Sequence, residues 1–130
     1  MAIDISAEQD AIGVAVGTIT GINVHDFVPG QVHPPVAIVA LPDVVEYDHT
    51  MARGKDRAVY PVYVLVGKAS DASARDKLAG YMSGTGASTA SVKAAVDSGG
   101  LRRVTGAQTQ IMTFAGIDYL AAVFDVEVTT

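Results

Sequence analysis

The sequence predicts an α+β fold in which an N-terminal helix and a central pair of helices pack on an antiparallel or mixed β-sheet. Three observations predict this class: an apolar stripe of helical period near the start of the chain, two segments of helical spacing in its middle, and strand-forming runs on both sides of that middle. The predicted order is therefore α-β-β-α-α-β-β, in a single domain over residues 1–130.

The first helix is predicted over residues 6–20. Its apolar side chains recur at the spacing i, i+3, i+4 and i+7 of one helix face: Ile12, Ala15, Val16 and Ile19. Ser6 and Gln9 have the spacing of a capping box, in which the serine hydroxyl accepts a hydrogen bond from a free backbone N–H. Because glycines weaken this helix, we expect it to depend on packing against the sheet.

Strand-forming residues dominate the next part of the chain. A short extended piece is expected at residues 22–27, and the run at residues 36–41, apolar on both faces, is typical of a central strand. Pro42 and Asp43 interrupt this run, and residues 44–48 are predicted to continue it beyond a bulge.

The longest strand-forming run covers residues 58–67 and is rich in valine and tyrosine. About ten polar residues separate it from the previous strand, which predicts an antiparallel hairpin with a long projecting loop. Proline cannot donate a hydrogen bond to a ladder. Pro61 therefore predicts an irregular edge over residues 58–61 and a regular strand over residues 62–66.

Two helices are predicted after this strand. Ser70 and Asp71 are expected to cap the first, whose apolar face comprises Ala74, Leu78, Tyr81 and Met82. The second is expected to begin at Ser88 or Thr89, and its apolar face comprises Val92, Ala95 and Val96.

The chain is then predicted to form a second hairpin. Its strands are expected over residues 108–114 and 119–128, with a turn at residues 115–118. In the last strand the apolar side chains alternate, so that one face is continuous and suited to burial: Leu120, Ala122, Phe124, Val126 and Val128.

Composition restricts the function. The formal net charge of −5 at pH 7 disfavours sequence-independent binding to nucleic acid, which depends on lysine and arginine at phosphates. The absence of cysteine excludes disulfides, thiolate metal sites and a cysteine nucleophile. The sequence shows neither a basic, apolar leader nor an apolar run near the roughly 20 residues of a membrane span. We therefore expect a soluble protein that is made and used in a cytoplasm.

Two histidines invite the hypothesis of a metal site or a general base. His25, with its neighbour Asp26, and His33 lie in one proline-bearing loop, and neutral imidazole binds metals. Their spacing of eight residues matches no ligand arrangement, so solvated loop histidines are the favoured interpretation. We predict no catalytic, metal-binding or cofactor-binding residue, no cofactor and no enzymatic activity.

The predicted projecting loop carries a pattern typical of an interaction surface. Aromatic, apolar and basic side chains stand at every second position: Tyr47, His49, Met51, Arg53, Lys55 and Arg57. If the segment is extended, they project from one side, and the aromatic and apolar members are anchors of the kind that interfaces favour. A solvated, charge-rich loop without a partner is the alternative interpretation.

Segments spread over nearly the whole chain carry a family resemblance. They are PVAIV at residues 35–39, YDHTMARG at 47–54, VYVLVGKASDASAR at 62–75, SVKAA at 91–95, Leu78 with Tyr81, and the closing strand. Together they resemble tail terminator (tail-completion) proteins of long, non-contractile-tailed bacteriophages, particularly those of actinobacterial phages.

This resemblance implies a structural virion protein at the head-proximal end of the tail, assembled in the host cytoplasm. It would form a homo-oligomeric ring, expected to be a hexamer, that ends polymerisation of the tail tube and joins the tail to the head-side connector. The implied partners are other copies of the chain, the tail tube protein, the head–tail connector protein and, transiently, DNA in the lumen, with no membrane. For the ring interface, the sequence favours the final strand and the edge at residues 58–61.

Two other functions stay open at this point. One is another neck or tail-tube subunit, which shares a small size and a strand-rich fold and would polymerise into tubes. The other, from a different class, is a small-molecule-binding or enzymatic α/β domain built around His25, Asp26 and His33.

Overall fold

A computed structural model of the protein describes residues 4–19, 22–25, 36–47, 56–68, 72–83, 91–97, 102–114 and 116–129. The helices are α1 (Ile5–Gly17), α2 (Ala72–Met82) and α3 (Val92–Asp97). The strands are β1 (Asn23–His25), β2 (Val36–Val39), β3 (Val44–Glu46), β4 (Arg57–Lys68), β5 (Arg102–Phe114) and β6 (Ile117–Thr129).

The described strands form one mixed, six-stranded sheet. Its order is β1-β2-β4-β6-β5, and β3 pairs with β4 beside the end of β2. β1 runs parallel to β2, whereas the other pairings are antiparallel. The predicted α+β class is confirmed, with an N-terminal helix and a helical pair between β4 and β5. The expected extended piece at residues 22–27 is β1, and the predicted continuation after Pro42 is β3.

β4 lies in the interior of the sheet, which corrects the prediction of an irregular edge at residues 58–61. It pairs with β6 without interruption over residues 57–65. On its other side, residues 40–43 separate its two short partners, β2 and β3, and the N–H of Ala40 donates to the Pro61 carbonyl at 3.2 Å. The N and the carbonyl of one residue face the same side of an antiparallel strand. The missing N–H of Pro61 therefore faces this interruption.

The main hydrophobic core lies between the helices and one face of the sheet. Its helical members lie on the predicted apolar faces: Ile12, Val16, Ala74, Leu78, Val92 and Val96. The predicted inward face of β6 is confirmed, because its side chains from Ala122 to Val128 at alternate positions are buried. The predicted cap of α2 at residues 70–71 lies outside the described residues.

Tyr60 joins α1 to the middle of the sheet. Its side chain is fully buried, and its hydroxyl donates to the carbonyl of Ile5 at 2.8 Å. Burial raises the pKa of Tyr60 to about 12, and the carboxylates of Glu8 and Asp4 act in the same direction. The ring supplies apolar contact area while its polar end is hydrogen-bonded, as buried tyrosines require.

A second, smaller cluster lies on the opposite face of the sheet. Its buried members come from β2, β4 and β6: Val36, Ile38, Leu65, Tyr119 and Ala121. β2 is buried at each of its positions, on both faces of the sheet. This confirms the prediction of a central strand over residues 36–39, whereas residues 40 and 41 of the predicted run lie beyond the end of β2 and Leu41 is exposed.

The start of α1 differs from the predicted capping box. Asp4 is the N-cap, and its carboxylate accepts a hydrogen bond from the N–H of Ala7 at 3.1 Å. Gln9 instead donates to the carbonyl of Val39 in β2 at 2.8 Å. A carboxylate at this position also complements the positive end of the helix dipole. Asp4, rather than Ser6, therefore caps the helix.

Ser91 decides where α3 begins, which is later than the predicted Ser88 or Thr89. Its hydroxyl oxygen accepts from the N–H of Ala94 at 3.2 Å, and the hydroxyl donates to the carbonyl of Ser83 at 2.6 Å. One buried hydroxyl thus caps α3 and ties its start to the residue after α2.

β5 and β6 form a hairpin of 13 residues per strand, longer than the predicted strands at residues 108–114 and 119–128. In its turn, Gly116 has a φ of +81°, which glycine adopts without the penalty of a Cβ. The register shifts between Val104 and Gly106, which marks a β-bulge in β5. The hairpin extends the sheet from β4 to its outer edge at β5.

Candidate functional site

The outer edge of β5 is the feature best suited to contact with another molecule. β5 ends the strand order, and within the described part of the chain no strand pairs with its outer side. Its side chains at residues 105–111 are all exposed. No charged residue and no proline occurs between Val104 and Phe114, although both are devices that keep edge strands from pairing. The strand therefore offers a row of backbone donors and acceptors to an incoming strand.

The local sequence explains why the middle of β5 stays open. Val104 is buried near the start of the strand, beside α3, whereas residues 105–110 are glycine, alanine, threonine and glutamine, with little apolar area. Ile111, which follows them, is 63% exposed. The charge-free run was visible in the sequence, but its position at the edge of the sheet was not.

The prediction that the final strand and residues 58–61 pair with neighbouring subunits is wrong, because the backbone of both is paired within the chain. The final strand, β6, has β4 on one side and β5 on the other, and residues 58–61 lie inside β4. Their ladders are occupied within the chain, so neither can accept a strand from a neighbour. The alternation of the final strand, which predicted one face suited to burial, is the same for an inner strand and an edge strand.

On the far side of the sheet, β1 begins the strand order, and β3 offers a second, short edge one strand further in. Among the described strands, β3 pairs with β4 alone. Three large apolar side chains in and beside it are exposed, at 67% for Leu41, 47% for Val44 and 70% for Tyr47. Exposed apolar groups gathered in this way are typical of contact surfaces.

Only the ends of the predicted interaction loop belong to the described residues. β3 and β4 form the expected antiparallel hairpin, and Tyr47 is exposed directly after β3. Arg57 is the first residue of β4, where its guanidinium contacts carboxylates of its own chain. The remaining members lie outside the described residues: His49, Met51, Arg53 and Lys55.

Charged side chains of alternating sign cross the sheet at the base of this loop. Arg57 contacts Glu46 in β3 at 3.2 Å and Glu127 in β6 at 3.2 Å. Glu127 also contacts Arg103 in β5 at 3.5 Å. We call this row the charge ladder: Glu46, Arg57, Glu127 and Arg103. It begins with an acid at the β3 edge and ends with a base at the β5 edge.

The charge ladder stabilises the ionised forms of its two inner members. A hydrogen bond from Arg57 lowers the pKa of Glu127, and the same contact raises the pKa of Arg57. Arg57 is therefore engaged by its own chain, in a position that aligns three strands. The sequence pattern that grouped it with the loop cations did not reveal these acidic partners.

Replacing Glu127 with glutamine is expected to lower the melting temperature by a few degrees at pH 7. Because the folded state lowers the pKa of Glu127, its contribution is complete above the ordinary pKa of 4.5 and is lost as the pH falls through the folded value. The difference between wild type and variant should therefore shrink between pH 7 and pH 3. Thermal unfolding by circular dichroism at a series of pH values measures it.

Glu46→Gln is the matched control for this prediction. Among the members of the charge ladder, Glu46 contacts Arg57 alone, whereas Glu127 contacts both Arg57 and Arg103. The side chain of Glu46 is 50% exposed, and that of Glu127 is 16% exposed. Solvent weakens such exposed pairs, so we expect a smaller loss. Equal losses in the two variants, or a Glu127→Gln loss that is unchanged at pH 3, would contradict the assignment.

The alternative histidine site is described only at His25. This residue ends β1 and lines a groove between α1 and β1, together with Gln9, Asp10, Gly13, Val14, Val24 and Val39. Asp26 and His33 lie outside the described residues. Among the residues that are described, no group of three or more His, Cys, Asp or Glu side chains is placed to hold a metal ion.

Comparisons with known proteins do not assign the chain to a family. No family model matches it, and no curated protein matches it. Within the described ranges, none of the helices has the length and apolar character needed to cross a membrane. The functional interpretation therefore depends on the open edges and on the sequence resemblance.

Proposed function

We propose that this chain is a structural virion protein, a tail terminator that forms a ring on the end of the tail tube of a long, non-contractile-tailed bacteriophage. The ring ends tube polymerisation and joins the tail to the head-side connector protein. It assembles in the host cytoplasm and occupies the head-proximal end of the tail. Its hexameric stoichiometry is taken from the resemblance.

The observation that carries this proposal is the open edge of β5, which is free of charge and exposed over residues 105–111. An edge strand of this kind is a hazard for a monomer, because it can pair with other chains. A closed ring of identical subunits covers such edges without leaving a free end. The resemblance of six parts of the sequence to tail terminators indicates which kind of assembly the ring belongs to.

Termination is steric in this mechanism. One face of the ring reproduces the stacking surface of the tube and the other lacks it, so that no further tube ring adds. Contacts to the tube protein or to DNA in the lumen are assigned to the loop after β3: Tyr47, His49, Met51, Arg53 and Lys55. Arg57, engaged by Glu46 and Glu127, holds the base of that loop.

Mass in solution and negative-stain images of the purified protein test this function. We expect discrete rings of one size. A variant with Gln108→Lys and Gln110→Lys should shift the protein toward monomers, because ammonium groups along an edge strand oppose pairing. The charge-matched control, Ala72→Lys with Ala79→Lys at exposed positions of α2, should keep the rings.

Other outcomes would replace the proposal. Long tubes from the wild-type protein would identify a tail-tube subunit. Monomers at every concentration would show that the protein does not form a ring. Stoichiometric bound metal that a His33→Ala variant loses would favour the enzymatic or ligand-binding alternative. The role of the loop is tested by the Arg53→Ala, Lys55→Ala variant. If this variant forms rings and caps tubes as well as the wild type does, the loop has no part in termination.

A further inference from the structure

We infer that the subunits of the ring join by antiparallel pairing of β5 of one copy with β1 of the next, so that the sheet continues across the boundary. Within the described part of the chain, β1 and β5 are the two ends of the strand order. This inference rests on the proposed function, because a closed ring requires two different surfaces on each copy. It assigns the second surface and gives the register in which the two surfaces meet.

The strand directions permit this pairing. β1 is parallel to β2, and the next three steps of the strand order, to β4, β6 and β5, are each antiparallel. β1 and β5 therefore run in opposite directions at opposite ends of the sheet. A second copy placed beside the first without inversion brings its β1 antiparallel to the open β5. Since β3 lies one strand further in, β1 is the strand that meets β5.

The registers of the sheet place β1 level with the exposed part of β5. An unshifted neighbour meets β5 at residues 108–110, in the middle of the run at residues 105–111 whose side chains are all exposed. Three rows of cross-strand partners define this level: Asn23 with Gln110, Val24 with Thr109, and His25 with Gln108.

On the helix face of the sheet, this register joins β-branched side chains. Thr109 lies opposite Val24 of the next copy. One position further along, Ile111 lies opposite Ile22, the residue directly before β1. Cross-strand contacts of this kind stabilise a sheet, and this one would remove the isoleucine side chain that is 63% exposed on β5 from water.

A cleft on the same face also favours this neighbour. It has a volume of about 280 Å³, lies between α2 and the hairpin of β5 and β6, and is lined by Arg75, Leu78, Ala79, Met82, Thr109 and Leu120. Val24 lies under α1 of its own chain, close to Gly13. The pairing therefore brings α1 of the next copy toward the open side of the cleft. Asp10 of α1 and Arg75 of the cleft are exposed and carry opposite charges, which favours this approach.

On the opposite face, the pairing joins two carboxamides. Gln110 and Asn23 are both exposed and lie opposite each other in this register. Each carboxamide can donate a hydrogen bond to the other and accept one from it. Residues 22–25 and 105–111 contain no Asp, Glu, Lys or Arg, so no like charges meet along the two strands. Pairing of β5 with β5 about a two-fold axis would stop at a dimer and would leave β1 out of the contact.

Introduced cysteines test the register without background, because the chain contains none of its own. The test variant carries Asn23→Cys and Gln110→Cys in one chain. Four strand spacings, about 19 Å, separate these positions within a subunit, which is too far for an internal disulfide. Both positions are exposed, so the reduced variant should form the same rings as the wild type. Mild oxidation should then give a series of covalent multimers on a non-reducing gel, ending at the size of the ring.

Asn23→Cys with Thr109→Cys is the matched control, because its second thiol lies on the opposite face of the sheet. We expect this pair to give far fewer multimers than the test pair. Neither Asn23→Cys nor Gln110→Cys alone should form covalent dimers. Dimers from Gln110→Cys alone would show two-fold pairing of β5 and would overturn the inference.

The failure of this inference is distinguishable from the failure of the proposed function. Discrete rings in which the test pair forms no crosslink, or crosslinks no better than the control pair, would overturn the β1–β5 contact and leave the ring standing. A wild-type protein that stays monomeric, with a test variant that neither assembles nor crosslinks, would overturn both.

Discussion

Replacing Phe124 with alanine is expected to lower the free energy of unfolding by about 3–5 kcal/mol. The ring is 2% exposed, on an inner strand, and has Val62 and Ala107 as cross-strand partners. Valine and alanine make up much of the core around it, so few neighbours are long enough to fill the space that the ring leaves. Urea unfolding followed by circular dichroism measures the loss.

Tyr47→Ala is the control, since it removes an aromatic ring at a position that is 70% exposed. Substitutions at such positions usually change the free energy of unfolding by less than about 0.5 kcal/mol. Both variants should be compared at a concentration where the chains are monomeric. Losses of similar size in the two variants would show that Phe124 does not lie in a packed core.

Replacing Gly67 with valine is expected to cost about 1–3 kcal/mol, because the site has no room for a branched side chain. A Cβ at residue 67 would lie 3.2 Å from the Cβ of Ala74, which is buried in α2. The register between β4 and β6 also shifts at this point, beyond Leu65. Valine would therefore push α2 away from the sheet, and equilibrium unfolding measures the result.

Two further variants separate this clash from the general effect of replacing a glycine. At Gly106, on the bulge of β5, an added Cβ meets no atom within 4 Å, so Gly106→Val should be nearly neutral. Adding Ala74→Gly to the Gly67→Val chain should recover part of the lost stability. If valine is equally costly at both glycines, or if Ala74→Gly recovers nothing, close packing against α2 is not the cause.

Sequence periodicity predicted the elements that bury one face. The stripe through Ile12 and Val16 and the alternation through Phe124 depend only on spacing along the chain, and the structure confirms both. Capping was harder to predict. Asp4 and Ser6 are both good N-cap residues, and local sequence gave no sign of the contact of Gln9 with the Val39 carbonyl, 30 residues away.

The candidate site was harder still, because it depends on contacts between distant residues. The loop pattern grouped Arg57 with neighbouring cations, yet Arg57 meets Glu127, 70 residues away along the chain. Its local spacing gave no sign of that partner. In the same way, the charge-free run in β5 became a candidate contact surface only when the sheet order placed it at an edge.

By itself, the sequence determined the α+β class, the places of the helices and the inward face of β6, because these follow from periods of 3.6 and 2.0 residues along the chain. Only the tertiary structure decided that β6 and β4 are inner strands and that, among the described strands, β1, β3 and β5 each pair on one side alone. The physical reason is that a strand lies inside a sheet or at its edge according to which distant strands form hydrogen bonds with it. The alternation of its own side chains does not determine this.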